Sequence, residues 1–381
     1  MSSPTMWAST SSASAAWISS TGAAAGPYAL DILAGMTGSG DHPALGPEGT
    51  RLNGASAPPP AGAGRLPDFF IAGHAKCGTT ALFLMMRSHP QLFMPVKEPR
   101  FFAPELRTRY WRPQESKRLR PRTLEGYKQL FAAALPDQLV GEGTPSYLRS
   151  HTAAENIAAA CPDAKIIAVL REPAAFLRSF HLQSVRNYDE TEKDFRRAMA
   201  LEPQRKQGKR IPRFSQAPSG LLYSEHVRYA EQLRRFHNAF GHDNVLVLIY
   251  DDFRADNEGI YRQVLRFLGV DDTGPAPPVE LQTLRYPRFQ AVDQFSRAVE
   301  LARNDRGPVG EATRALARFA PGLGPEDRLG SIWRELRYTE PPPPDQEFML
   351  ELRRRFKGEV QTASEYLERD LVTLWGYDSL G

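Results

Sequence analysis

The sequence predicts an α/β protein: a three-layer sandwich around a central, mostly parallel sheet. Three observations carry that reading. The apolar runs Phe69–Ala72, Ile166–Val169 and Val245–Ile249 are unbroken, as strands covered on both faces require. Helical stretches separate them, and strands alternating with helices argue parallel pairing through crossovers. At Asp68–Leu82 a strand runs through a glycine-containing loop straight into a helix.

Residues 1–64 are rich in Ala, Gly, Ser and Pro, end near Pro58-Pro59-Pro60 and lack sustained periodicity. They read as a disordered tail, with the short stretch Tyr28–Met36 as a possible docking helix. The domain then occupies 65–378. Phe69–Ala72 is its first strand, Gly73 a tight turn, and Ala81–Arg87 a helix. Residues 105–122 form a basic connection containing Tyr110 and Trp111, read as a solvated loop that lines a cleft for an anionic substrate. Tyr127–Leu135 reads as helix and Gln138–Gly141 as a short strand, with Glu142–Tyr147 a loop at its C-terminal end. His151–Cys161 is helical, with Thr152 as N-cap and Glu155 completing a capping box. Lys165–Leu170 is a buried strand. Pro173 stands in the first turn of a helix reaching Arg186. Residues 189–219 are a polar excursion on the substrate side. Tyr223–Phe240 reads as one long helix, Asn244–Tyr250 as a strand, and Asn257–Leu268 as a helix stopped by Gly269. Further helices are expected at 291–303, 311–318, 345–357 and 359–368, with Pro341–Pro344 as a separator.

The chain of 381 residues carries a formal net charge of +4. The first 50 residues hold no Lys or Arg, so the remainder is the more basic part. A mild positive excess suits anionic ligands, but it is not the dense basic stripe of a nucleic-acid binder. No basic n-region and no arginine-rich transit segment opens the chain. No apolar run reaches the roughly 18 residues of a membrane span. A cytoplasmic protein without a membrane span is therefore expected. Cys77 and Cys161 provide no disulfide framework. Cys161 reads as a small buried hydrophobe, and Cys77 as a bystander in the glycine loop. The eight histidines are scattered, and no cluster has metal-ligand spacing, so no metal is expected. His74 and His181 lie near the motifs, where contact with acceptor or cofactor is the alternative, and read first as packing or solvent-facing residues.

The loop at 73–80 carries the first chemical signal. Free N–H groups at a helix start point at an anion, and the helix dipole favours negative charge there. Lys76 adds a point charge, while Thr79 and Thr80 add hydroxyl donors. This is not a Walker A loop, which places its lysine after the second glycine; here Lys76 precedes Gly78. The alternative is an ordinary strand-to-helix turn with an incidental lysine. Arg171 ends the strand at 165–170, and Ser179 lies about two turns into the next helix, so both can face one anion. The alternative for Arg171 is a surface ion pair with Glu172 or Asp189. Lys97 and Glu98 lie between apolar clusters and, taken alone, read equally as a solvated turn.

Together these motifs are similar in order and spacing to the sulfotransferases that use 3′-phosphoadenosine 5′-phosphosulfate (PAPS), especially the bacterial and heparan-sulfate-modifying branch. The resemblance spans about residues 66–378. Ala75-Lys-Cys-Gly-Thr-Thr-Ala-Leu82 resembles the family's 5′-phosphosulfate loop, and Arg171-Glu-Pro173 with Ser179 its 3′-phosphate motif. Lys97-Glu98 with Phe101-Phe102 resembles the segment whose glutamate is the proposed base. The resemblance implies that Lys76, Cys77, Gly78, Thr79 and Thr80 hold the 5′ end of PAPS and that Arg171 and Ser179 hold the 3′-phosphate. Tyr286 and Arg288 match the cofactor loop only loosely. It implies that Lys76 and Glu98 are catalytic and that a hydroxyl-bearing acceptor, first a sugar and second a natural product or lipid, receives the sulfuryl group without a metal. A glutamate of ordinary pKa, about 4.3, is ionised but weakly basic, so a base role calls for a site that raises it. The chain departs from the pattern at Gly143, where a lysine is common, at Phe176, where an arginine is common, and at Leu221, where a glycine is common. Two rival classes remain: a P-loop kinase using Asp251 and Asp252 for magnesium, and a nucleotide-binding protein that has lost its chemistry.

Overall fold

The computed structural model describes residues 64–106, 121–187, 189–212, 215, 217–279, 286–287 and 338–380. The expected tail up to residue 63, the heart of the basic connection, Arg288 and the helices expected at 291–303 and 311–318 lie outside the described residues.

Phe69–Gly73 (β1) is buried along its whole length. It pairs in parallel with Leu139–Gly143 (β3) on one side and Lys165–Leu170 (β4) on the other. Leu92–Phe93 (β2) extends the sheet beyond β3, and Val245–Ile249 (β5) extends it beyond β4. The sheet is therefore parallel throughout, in the order β2-β3-β1-β4-β5, and the predicted α/β class is present.

That order divides the connections. From β1 the chain passes through Thr79–Arg87 (α1) and moves outward to β2. From β4 it passes through Pro173–Arg186 (α4) and moves the opposite way to β5. Right-handed crossovers that run in opposite directions place their helices on opposite faces of a sheet. Strands β1 and β4 are neighbours, so a crevice opens between the loops that leave their C-terminal ends, the usual ligand position in open parallel sheets.

Several elements differ from expectation for local reasons. Helix α1 starts at Thr79, directly after the loop glycine Gly78. The helix expected at Tyr127–Leu135 is a short one, Leu124–Lys128 (α2), because Thr123 caps it by accepting from Gly126 N–H at 3.1 Å; a 3₁₀ turn at Gln129–Phe131 follows. Thr152 precedes Ala153–Ala160 (α3), but no capping box forms. Thr152 has a helical backbone, and Ser150 Oγ accepts from the N–H groups of Thr152 and Ala153 instead, at 3.2 and 2.9 Å. Residues 189–219 contain Phe195–Ala200 (α5) and Glu202–Lys206 (α6), fastened by the buried ion pair Arg205–Glu190 at 2.7 Å. The long helix expected from Tyr223 is a 3₁₀ segment followed by Tyr229–Phe240 (α7). Gln232 Nε2 donates to the carbonyls of Glu225 and His226, at 2.8 and 3.3 Å, which a continuous helix would use itself.

After β5 come Tyr250–Ala255 (α8) and Asn257–Leu268 (α9), the latter closed by Gly269 at φ 79°. Tyr286–Pro287 (β6) pairs antiparallel with Tyr338–Thr339 (β7) and lies against α4. The two helices expected at 345–368 are one, Gln346–Tyr366 (α10). Phe348, Leu352, Phe356, Val360 and Ala363 form one buried stripe, and that burial carries the helix through Gly358. Leu371–Leu374 (α11) is the last described helix. Among the described residues no helix is long and apolar enough to cross a membrane.

Candidate active site

The crevice is built from the loops that leave the C-terminal ends of β1 and β4 and from the loop after β2, which runs along the C-terminal end of β3. The β1 loop is the central one. Gly73 has φ 119°, and a Cβ there would meet the Val169 backbone at 2.8 Å. Gly78 has φ 81°, and a Cβ there would press on Tyr250 and Phe253 at 3.1 Å. Both positions therefore demand glycine, for conformation and for space. Gly78 is the N-cap of α1, no side chain caps the helix, and its first turn holds no acid. The helix start thus presents N–H groups and the positive end of its dipole to the crevice. Lys76 holds φ 70° just before it. Burial first, then the charges of Arg171 and Arg186, push the Lys76 ammonium below the ordinary lysine range. Thr79 is buried and Thr80 half-buried. Cys77 is fully buried, its thiol 3.9 Å from the Ala75 carbonyl. Burial pushes that thiol up to about 12, so Cys77 contributes backbone, not thiolate chemistry.

Arg171 ends β4 on the other side of the crevice. Its Nη1 donates to the Lys76 carbonyl at 2.8 Å, and its guanidinium lies over the Tyr250 ring, 4.6 Å from the centroid. Glu172, one of the two partners the sequence offered it, instead caps α4 by accepting from the N–H groups of Ala174 and Ala175, at 3.1 and 2.6 Å. Ser179 is half-buried further along α4, the helix against which β6 lies. The backbone of Tyr286 is thus brought near that helix.

The third loop carries Glu98. An isolated bridge ties Lys97 to Gly143, and Glu98 N–H donates to the Gly143 carbonyl at 2.8 Å. Glu98 and Arg100 both hold left-handed backbones, φ 61° and 53°, a strained choice for residues with side chains. The Glu98 carboxylate accepts from Lys97 Nζ at 3.0 Å and from Arg100 Nη2 at 2.7 Å. Burial alone would raise its pKa, but the two cations outweigh burial and hold Glu98 well below the usual carboxylate range. The raised pKa expected of a general base is absent, because the chain gives this carboxylate two positive neighbours. The strand order β3-β1-β4 puts the Lys76 loop between the Glu98 loop and Arg171.

Sequence reading missed what holds the Glu98 loop in place. Glu142 is fully buried. Its carboxyl accepts from the hydroxyls of Tyr127 and Thr144, and from Tyr147 at 3.1 Å. Thr144 Oγ1 in turn accepts from Arg100 N–H at 3.4 Å, and Tyr147 Oη from Phe102 N–H at 3.2 Å. A polar glutamate at the end of an apolar strand, with tyrosines at 127 and 147, was the available signal. Gly143 has its own reason: a Cβ there would meet the Phe83 ring at 2.8 Å. The Lys97 stem passes 3.8 Å from that position, so the cation on this side of the cleft comes from Lys97. The carboxylates a kinase would give to magnesium are engaged elsewhere: Asp251 accepts from Trp375 Nε1 at 2.9 Å, and Asp252 pairs with Arg369 at 2.6 Å. His74 and His181 are buried in packing roles, with Nε2 at 2.8 Å from Gln232 Oε1 and the Glu192 carbonyl respectively.

An α/β sheet with an anion-seeking crevice at its switch point defines a class of proteins that bind phosphorylated nucleotides. The chain belongs to the sulfotransferase family, whose profile matches residues 67–274. It is 34% identical over 121 residues to the human heparan sulfate glucosamine 3-O-sulfotransferase 6, covering 32% of this chain and 31% of that protein. It is 32% identical over 125 residues to the mouse heparan sulfate glucosamine 3-O-sulfotransferase 3B1, covering 33% of this chain and 28% of that one. The chain thus matches about a third of the length of these curated relatives. A sulfotransferase from Alicyclobacillus acidocaldarius shares the fold with a TM-score of 0.56 and 24% identity, over 82% of this chain and 99% of that one.

Proposed function

We propose that the protein transfers the sulfuryl group of PAPS to a hydroxyl of a carbohydrate acceptor. One observation carries this reading: Arg171 reaches across the crevice to the Lys76 carbonyl, so the cations assigned to the two ends of the nucleotide form one unit. The residues fit PAPS. Lys76 and the uncapped start of α1 suit the 5′ end, with Gly78 leaving space for close approach. Arg171 and Ser179 suit the 3′-phosphate, where charge-assisted hydrogen bonds are strong. Tyr286 and Arg288 are the residues we assign to the adenosine side.

When bound, PAPS supplies a sulfuryl group joined to its 5′-phosphate. The acceptor oxygen forms a bond to sulfur, the bridging sulfur–oxygen bond breaks, and its electron pair remains on the phosphate. Lys76 stabilises that developing charge. Glu98 takes the hydroxyl proton. Held ionised by Lys97 and Arg100, it is a weak base in the ground state, and it accepts the proton once the attacking oxygen has begun to lose electron density to sulfur. A carbohydrate acceptor is the choice that the likeness to the heparan sulfate sulfotransferases favours.

The test of the cofactor assignment is a comparison of nucleotides with and without the 3′-phosphate. Arg171→Ala and Ser179→Ala should each weaken binding of the 3′-phosphorylated form by on the order of 1.5–3 kcal/mol and leave the other nearly unchanged. A variant that discriminates between the two as well as wild type does would show the assignment to be wrong. Transfer of radiolabel from PAPS into pools of sugars then tests the reaction itself.

A further inference from the structure

Glu98 and Arg100 hold left-handed backbones, φ 61° and 53°, and neither is a glycine. A residue with a Cβ leaves that region unless its surroundings fix it there. Relaxation of φ at Glu98 would turn its Cβ, and the carboxylate with it, to a new direction. The groups that fix this loop therefore bear on the chemistry, and they come from other segments. Glu98 N–H donates to the Gly143 carbonyl at 2.8 Å. Arg100 N–H donates to Thr144 Oγ1 at 3.4 Å, and Phe102 N–H to Tyr147 Oη at 3.2 Å. The Phe102 carbonyl accepts from Asn156 Nδ2 of α3 at 3.0 Å. The Phe101 ring stacks on Tyr127 of α2, with centroids 4.4 Å apart.

Three of these anchors meet at one group. Thr144, Tyr147 and Tyr127 all donate their hydroxyls to the Glu142 carboxyl, and all four residues are fully buried. A hydroxyl that donates to Glu142 keeps its lone pairs for the loop amides. Glu142 thus sets the direction in which Thr144 and Tyr147 accept from Arg100 and Phe102. Packing alone gives no reason for a carboxyl at this position. Among the described residues no cation pairs with it, and a carboxyl is costly to bury without one. What it offers that an apolar side chain does not is lone pairs for three hydroxyls at once.

We propose that Glu142 is a positioning residue for sulfuryl transfer: acting through Thr144 and Tyr147, it holds the Glu98–Phe102 backbone in the conformation that aims the Glu98 carboxylate at the acceptor hydroxyl. The proposal rests on the sulfotransferase reading above, and two measurements test it. Amide hydrogen exchange across residues 97–103 reads the clamp with no acceptor present. Thr144→Val and Tyr147→Phe each remove one hydroxyl, and each should speed exchange there by about tenfold, the scale of one hydrogen bond, with β1 and β4 unchanged. Thr144→Ser keeps the hydroxyl and should exchange at the wild-type rate. The second measurement is kcat with labelled PAPS and the sugar pool that takes up label, beside the calorimetric Kd for 3′-phosphoadenosine 5′-phosphate. Each hydroxyl deletion should lower kcat by roughly 10–100-fold, the scale of an ångström-sized misplacement, with nucleotide affinity unchanged. Unchanged affinity shows that the variants are folded, and Tyr147→Phe carries the test if Thr144→Val does not fold. In a Glu98→Gln background the same deletions should change kcat by less than about twofold, because the group they misplace is already gone. Equal losses in both backgrounds would mean that the clamp does not act through Glu98 and would overturn the proposal. Wild-type kcat in both deletions, or unchanged exchange across 97–103, would overturn it as well. Failure of the sulfotransferase reading appears separately, as absence of label transfer by wild type to any sugar pool, and the exchange measurement then still decides whether the clamp exists.

Discussion

Glu98 occupies a left-handed backbone position between two cations, and its geometry makes two predictions. Glu98→Gln keeps the shape and one hydrogen-bonding oxygen but cannot take a proton at neutral pH. Turnover should fall by roughly 10²–10⁴-fold with the PAPS dissociation constant nearly unchanged. Lys76→Ala should damage both, since Lys76 meets the nucleotide before and during transfer. Wild-type turnover in the Gln variant would remove Glu98 from the mechanism. The second prediction concerns pH. Lys97 and Arg100 hold the Glu98 carboxyl below its ordinary value, so the protonated, inactive form is scarce even in mild acid. The profile of kcat/KM should show no acid limb near pH 4.3, where an ordinary glutamate titrates. An acid limb there that disappears in Glu98→Asn would mean that the two cations do not hold the carboxylate in solution.

At the scale of the element, the C-terminal end of β3 does more than pair with β1. Glu142 binds the two tyrosines and Thr144 that hold the backbone around Arg100 and Phe102. Burial pushes its carboxyl up to about 7, against the hydrogen bonds of Thr144, Tyr127 and Tyr147. The folded state therefore keeps a proton that the unfolded chain releases between the ordinary value and about 7. Stability from this group is fully present below the unfolded pKa and is lost as pH rises through that window, by on the order of 3 kcal/mol. The quantity to measure is the melting difference between wild type and Glu142→Gln from pH 4.5 to 8. The wild-type advantage should be largest at low pH and shrink towards pH 8; a difference that is flat, or that grows with pH, would contradict the buried-carboxyl account. The same element shows what was legible in the sequence. Apolar runs reveal β1 and β4 because a strand buried on both faces has no polar position to disguise it, and β5 is equally apolar although Leu246 and Val247 are only half-buried at the sheet edge. The glycine loop reveals Lys76 because conformation and chemistry coincide there. The break at Arg228 and the single helix from Gln346 to Tyr366 were not legible. The first depends on Gln232 taking backbone carbonyls, and the second on a buried stripe that needs tertiary partners. The Glu142 cluster joins residues from three separate segments, and the cations around Glu98 reversed a pKa that the base role had led us to expect raised.

At the scale of the whole molecule, the sheet order creates the site, since connections diverge from β1 and β4 and leave the crevice between them. The position of the N-terminal boundary follows from the same sheet. Gly64, which composition assigns to the tail, is buried, and a Cβ there would lie 2.2 Å from the Lys128 carbonyl. Arg65 pairs with Asp68 at 2.6 Å, and the Asp68 carboxylate accepts from Val140 N–H at 2.7 Å. The Asp68 carbonyl accepts from Lys165 N–H at 2.9 Å. Gly64–Asp68 thus fastens the start of β1 to both neighbouring strands and to the end of α2. Residues 1–63 have a composition too poor in large apolar side chains to offset the entropy of ordering them. Deleting 1–63 should leave the melting temperature nearly unchanged, whereas deletion through Asp68 should lower it by several degrees, because buried backbone groups of β3 and β4 lose their acceptors. Differential scanning calorimetry of the two truncations separates the cases. A large drop on removing 1–63 alone would show that the tail packs on the domain, and equal melting of both truncations would show that Gly64–Asp68 contributes nothing to the sheet.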